Sequence, residues 1–330
     1  MKILYVGGNG QISFDCVHES VRAGHETWVF NRGNANAGLP PEVSYLRGDF
    51  DDDAQYTPIA DEHFDVVCQF RVFTPQQLKR DLDLLTGKVG RYVFISSASA
   101  YRKPVEVQFI TEDVPLDNPH WAYSRDKAAC EALLRTHGDG RPGSPLPWTV
   151  VRPSHTSRDM LITALGEHDL LASRLLRGKP VVVPGDGTSL WTVTDSQQFA
   201  PPFVRLLTAD AALGEAFHLT SDRAYAWRTL YHATARALGV EAELVGVPTD
   251  TLVAAHPAWA GPLWGDKAWS AQFDHTKIRA VVGDLGAPPS LEAFVGGRVA
   301  AARERMARED PLATDRAAAL DRLFDRLTGG

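Results

Sequence analysis

Cysteine is scarce in this chain: three among 330 residues, Cys16, Cys68 and Cys130, far apart and never in a C-x-x-C pair. That spacing excludes a zinc-binding thiolate pair and offers no disulfide framework, so no metal site is expected and a reducing cytosol fits. Basic charge is short as well, with 34 Lys and Arg against 41 Asp and Glu for a formal net charge of -7. A face that binds nucleic-acid phosphates or an anionic membrane needs excess positive charge, so neither is expected as the main partner, although local basic patches stay open. No apolar run approaches the roughly 20 residues that span a bilayer, and the N-terminus shows no basic-plus-apolar leader. A cytoplasmic protein with no membrane contact is the expectation.

What is present is an ordinary globular composition, 44% hydrophobic and 23% charged, long enough for one large core or a core with an appended lobe. Up to about residue 155, short β-branched or aromatic runs alternate with amphipathic stretches. The predicted strands are Lys2–Val6, Glu26–Phe30, Val43–Leu46, Phe64–Phe70, Tyr92–Ser96 and Trp148–Val151. Several are apolar nearly throughout, as parallel strands covered on both faces must be. Thr74-Pro75 reads as an N-cap followed by proline at the first helical position. The rhythm predicts an α/β fold, a doubly wound parallel sheet over 1–155. Over 156–330 a smaller α/β substrate lobe is expected, partly interleaved with that sheet and holding five of the eight tryptophans. The Ala-, Arg- and Glu-rich tail from Ser290 is expected to form surface or subunit-contact helices, and any assembly to be a homodimer.

A third glycine is missing from the loop after the first strand, Gly7-Gly8-Asn9-Gly10-Gln11-Ile12-Ser13. In such a loop the first glycine permits the tight turn and the second admits a pyrophosphate to backbone N–H groups at a helix N-terminus. The third serves mainly close helix–strand packing, where serine is the next smallest polar residue. A dinucleotide-binding (Rossmann) function is retained on this reading, with Ser13 asking only for a slightly wider contact. A carboxylate is also missing at the end of the second strand, where Asn31-Arg32-Gly33-Asn34 stands. Without it nothing repels a 2′-phosphate, and Arg32 can bind one, so NADP is favoured over NAD. Asp49, in Gly48-Asp49-Phe50, is expected near the adenine.

Tyr123 and Lys127 lie four residues apart and so share a helix face. A lysine ammonium beside a phenol lowers the tyrosine pKa and makes a proton shuttle near neutrality, and it can hold a nicotinamide ribose. At the end of the fifth strand, "SSASAY" places Ser97 to hydrogen-bond an oxygen being oxidised or reduced. With the Gly7/Gly10 loop, Ser97, "YSRDK" and "VVRPSHT", the chain resembles the extended short-chain dehydrogenases/reductases of the NAD-dependent epimerase/dehydratase superfamily, through "KPVVVPGDGTSLWTV" and "GEAFHLTSD". The resemblance implies that Tyr123 is the acid/base, Lys127 its tuner and Ser97 the hydrogen-bonding partner. The cofactor site expected on this basis comprises Gly7, Gly10, Gln11, Ile12, Asn31, Arg32, Asp49, Phe50, Arg71, Lys127 and Pro153. The substrate site comprises Arg71, Ser99, His155 and Trp191.

Further absences narrow the reaction. Sugar-nucleotide 4,6-dehydratases of this superfamily typically carry Asp-Glu after the Ser/Thr, where this chain has Ala98 and Ser99, and neither side chain titrates usefully. Members that bind nucleoside diphosphates often have arginine and asparagine where Trp191 and His155 stand here, which weakens a UDP-sugar in the usual pose. Arg71 follows "VVCQF", where small residues are general, and is placed to orient a carboxylate or phosphate. "FNRGN", "RGDFDD" and "GRYVFISSASAY" also resemble an atypical branch related to chloroplast stem-loop RNA-binding proteins. The leading expectation is a sugar, nucleotide-sugar or polyol epimerase working through a keto intermediate. A one-way NADPH-dependent ketoreductase or alcohol dehydrogenase comes second, and an idle RNA- or nucleotide-binding protein third.

Overall fold

The computed structural model describes residues 1–34 and 38–329. β1 (Lys2–Val6) leads through the glycine loop into α1 (Ser13–Arg22), and β2 (Glu26–Asn31) and β3 (Ser44–Arg47) follow. After α2 (Asp53–Tyr56), β4 (Phe64–Gln69) precedes α3 (Pro75–Leu85). Thr74 caps α3 in a reciprocal capping box with Gln77, with proline in the first turn as its sequence requires. β5 (Val89–Ile95), α4 (Ala122–His137) and β6 (Trp148–Pro153) complete the first half.

At Ser154 the chain leaves the sheet for β7 (His155–Ser157), α5 (Asp169–Leu176), β8 (Val181–Pro184) and β9 (Leu190–Asp195), then returns with α6 (Ser196–Thr208) and β10 (Ala216–Leu219). The second lobe continues through β11 (Ala224–Ala226), α7 (Trp227–Leu238), β12 (Leu244–Val247), α8 (Thr249–Ala255) and α9 (Ala260–Pro262). A π-helical turn Leu263–Lys267 follows, then α10 (Thr276–Val282), α11 (Leu291–Arg308) and α12 (Asp315–Leu327).

The main sheet runs β10-β6-β5-β4-β1-β2-β3, with parallel pairing throughout. Alternate residues of β1 show why it is apolar end to end: Ile3 and Tyr5 enter one buried layer with Val17, Phe199 and Phe203, while Leu4 and Val6 enter the opposite one with Leu78, Leu82 and Leu134. Strand order reverses between β1 and β4, so a crevice opens at their carboxyl ends, where the glycine loop and Arg71 lie. The sheet draws β10, and the helix α6 packed on α1, from beyond residue 155.

The second lobe holds a three-stranded sheet, β11-β9-β7, and a two-stranded one, β12-β8. Its core includes Phe294, Val295 and Val299 of α11 and Leu323 and Phe324 of α12. The tail expected on the surface is therefore structural: its apolar stripe closes the lobe. Arg174 and Lys179 pin α12 to the lobe through Asp321 and Asp325. No described helix is long and apolar enough to cross a membrane.

Candidate active site

The loop after β1 shows what stands in for the missing glycine. Ser13 is the first residue of α1 and is buried; its hydroxyl donates to Gly7 O at 2.6 Å and accepts from Gly10 N at 3.0 Å. The sequence predicted a looser contact, whereas the structure shows a staple across the turn. Gly7 has φ +87°, and a Cβ there would lie 2.8 Å from Arg71 Cγ, so the position demands glycine. Gln11 bridges to the second lobe, donating to Asp159 at 2.7 Å and accepting from Arg158 N at 3.0 Å. Ile12 packs against the sheet core on the α1 side.

Gly7, Asn31, Arg32, Asp49, Phe50 and Arg71 all line one cleft at the crevice. Asn31 Oδ1 accepts from Gly33 N at 2.8 Å and shapes the turn that leaves Arg32 exposed. Arg47, which the sequence reading missed, donates to Arg32 O at 3.2 Å and brings a second exposed guanidinium to the same turn. A left-handed glycine turn, a helix N-terminus and a cleft edged by cations fit a dinucleotide. Arg71 belongs to this cleft, with its guanidinium 3.8 Å from exposed Asp51 and stacked 6.0 Å from Phe50. It does not line the cavity that holds His155 and Trp191, so the two expected substrate groups are separated from it.

That second cavity, of 220 Å³, brings together Ser97, Ser99, Tyr123, Pro153, His155 and Trp191. Ser124 donates to Ser99 at 2.8 Å, and Ser99 and Ser97 share a hydrogen bond of 2.9 Å. A run of serine hydroxyls thus reaches the wall that Tyr123 shares. Lys127 is buried, donates to Val72 O at 2.6 Å and Ile95 O at 2.7 Å, and has its ammonium 5.8 Å from the Tyr123 ring. Burial brings its pKa down to about 7. Burial also pushes the Tyr123 phenol up, with Ser97 opposing and Asp266 adding to the rise. The Lys127 ammonium donates to those two backbone carbonyls rather than to the phenol.

His155 is held neutral, its pKa brought down to about 3 by burial and then by the Lys267 charge. Trp191 is core and cavity wall together, stacked on Trp227 with centroids 5.6 Å apart. Behind the site, Arg152 binds Glu131 through two hydrogen bonds of 2.8 and 2.6 Å, and Ser96 donates to the same carboxylate. This pair joins β6 to the helix that carries Tyr123 and Lys127.

Sequence reasoning also missed Trp121, Asp266 and Phe273, all in the cavity wall. Trp121 packs against Tyr123 with the rings tilted by 45° and their centroids 4.9 Å apart. Its signal was its place directly before the helix, whereas Asp266 carried one only as a charge set among tryptophans in "LWGDKAW".

The chain is 27% identical over 251 residues to 2'-dehydrokanamycin reductase of Streptomyces kanamyceticus, covering 76% of this chain and 70% of that one. It is 26% identical over 260 residues to the chloroplast stem-loop binding protein of 41 kDa b of Arabidopsis thaliana, covering 74% and 65%. The match thus spans about two thirds of each relative's length. In fold it is similar to the UDP-glucose 4-epimerase of Thermotoga maritima solved with UDP-glucose, at a TM-score of 0.73 and 19% identity over 93% of this chain and all of that one. The model of the NAD dependent epimerase/dehydratase family matches residues 3–219, and the chain belongs to that family of enzymes.

Proposed function

We propose that this enzyme is an NAD(P)-dependent oxidoreductase acting at one carbinol or carbonyl carbon of a small sugar-like ring, with Tyr123 as the proton carrier. The observation that carries the reading is the cavity. Its 220 Å³ lies below the roughly 300 Å³ at which pockets for drug-sized ligands begin, so it accommodates a ring rather than a whole nucleotide sugar. The name of the Streptomyces relative, a reductase, points the same way.

When bound, the cofactor supplies or accepts the hydride. Gly7, Gly10 and the start of α1 hold its pyrophosphate, while Arg32 and Arg47, with no carboxylate at Asn31, support NADP over NAD. Ser97 and Tyr123 hold the substrate oxygen between two hydroxyls, and the proton moves between that oxygen and Tyr123 Oη. Lys127 fixes positive charge behind the phenol, and neutral His155 offers a hydrogen bond to the ring.

Epimerisation requires the keto ring to present its other face to the cofactor, within a cavity of 220 Å³ walled by Trp121, Trp191 and Phe273. One-way redox is therefore placed ahead of epimerisation, the reverse of the expectation from sequence; family membership keeps epimerisation as the second reading. The RNA-binding reading stays third, because a net charge of -7 attracts phosphates poorly.

The test is stoichiometry: neutral cyclic polyols and their ketones are offered with NADP and NADPH. Cofactor converted one for one with substrate supports the proposal. Turnover with no net cofactor change gives the site to epimerisation, and failure to bind either cofactor overturns both readings.

A further inference from the structure

Among the described residues that line the catalytic cavity, one carries a charge, Asp266. It comes from the π-helical turn Leu263–Lys267, outside the stretch matched by the family model. Single π-turns are rare and recur at functional sites. Asn118 fixes this one by donating to Ser99 O at 2.7 Å and Gly265 O at 2.6 Å, which ties the carboxylate's segment to the serine run. Gly265 permits the approach, since a Cβ there would lie 2.7 Å from Trp121 Cβ. Lys267 Nζ stands 3.7 Å from the Asp266 carboxylate and 5.6 Å from the Trp191 ring, and buried Lys103 acts on the same carboxylate from a second element. Trp191, also in the wall and 2% exposed, has its indole nitrogen buried, so it offers the cavity the face or edge of its ring and not a donor.

We infer that Asp266 is a specificity-determining residue that accepts hydrogen bonds from hydroxyl groups of an uncharged polyhydroxylated ring seated in the cavity. Donor and acceptor counting selects the hydroxyl. An ammonium has donors only and brings a third cation to a carboxylate that Lys267 and Lys103 already face. A phosphate or carboxylate has acceptors only and meets Asp266 with like charge, while neither lysine lines the cavity to contact it. A hydroxyl donates to Asp266 without adding charge, while Trp121, Trp191 and Phe273 cover the apolar edge of the ring. The inference deepens the redox reading by naming its substrate class and rests on that reading only for which carbon reacts.

The test is direct binding to the whole protein with cofactor present, by calorimetry and saturation-transfer NMR. The probes are D-glucose and myo-inositol, D-glucosamine, D-glucose 6-phosphate and UDP-glucose. A neutral ring is expected to bind tighter than the amino or phosphorylated ones. Asp266→Asn, matched in shape, is expected to weaken the neutral ring about 10- to 100-fold, the value of a charge-assisted hydrogen bond, with NADP affinity unchanged. The penalty for removing one ring hydroxyl should shrink in that variant. Preference for the amino or phosphorylated probe, no binding of any neutral ring, or unchanged binding in Asp266→Asn overturns the inference. Neutral-ring binding without cofactor turnover leaves the inference standing and defeats the redox reading. If Asp266→Asn fails to fold, the wild-type order of preference still decides.

Discussion

Restoring the family's glycine by Ser13→Gly is expected to harm this protein. The buried Ser13 hydroxyl makes two hydrogen bonds, to Gly7 O and from Gly10 N. At about 0.5 to 1.5 kcal/mol each, their loss costs about 1 to 3 kcal/mol, and glycine in the first helical turn adds about 0.5. Nothing offsets this by relieving crowding, because Ser13 Oγ lies 3.4 Å from where a Cβ on Gly10 would stand, an ordinary contact. Unfolding followed by circular dichroism should show Tm lowered by about 3 to 14 °C, using about 2 to 4 °C per kcal/mol for a chain somewhat smaller than this one. Ser13→Ala, which keeps the β-carbon, should account for most of the drop. A Ser13→Gly variant with an unchanged or raised Tm would refute the staple and return Ser13 to a passive substitute.

Four further outcomes are expected. Tyr123→Phe should cut kcat by at least about 100-fold while NADP affinity changes less than twofold, since only the proton-carrying hydroxyl is lost; full activity would sink the mechanism. Arg32→Ala should weaken NADP more than NAD in parallel titrations, and equal losses would contradict the 2′-phosphate role. Glu131→Ala should cost about 3 to 5 kcal/mol in urea unfolding, because it strands the buried Arg152 charge; a loss below about 1 kcal/mol would show the pair to be dispensable. His218 is fully buried, with Nδ1 3.0 Å from Tyr101 OH and Nε2 donating to Asp274 O, and burial brings its pKa down to about 3. The folded state therefore binds fewer protons than the unfolded one between about pH 6.5 and 3. Its contribution is complete above pH 6.5 and falls by about 1.4 kcal/mol per pH unit on acidification. His218→Gln should flatten that part of the stability profile, and an identical slope would argue against the assignment.

The sheet was legible in sequence because its central strands are buried on both faces and must be apolar for nearly their own length. β1 was predicted to the residue, and β2, β4 and β5 within three residues at either end. Thr74-Pro75 was readable because capping is local. The tail helices were misjudged because their buried stripe includes alanine and long arginine stems, which look like surface until a partner is known. Of the expected site residues, Gly7, Asn31, Arg32, Asp49, Phe50 and Arg71 share one cleft, while Ser97, Ser99, Tyr123, Pro153, His155 and Trp191 share another. Arg71 had been assigned to both roles, and only the crevice between β1 and β4 shows which side it faces.

The sequence alone determined the order of strands and helices, the turn that needs Gly7, and the helix face shared by Tyr123 and Lys127, because period, turn and cap are set by neighbours within a few residues. Tertiary structure decided the chemistry of those groups. Where the Lys127 ammonium is held depends on carbonyls from residues 72 and 95, and the cavity's charge depends on Asp266, Lys267 and Lys103 arriving from distant segments. Burial and electrostatics act through space, and no local pattern records which remote side chains will share a low-dielectric cavity.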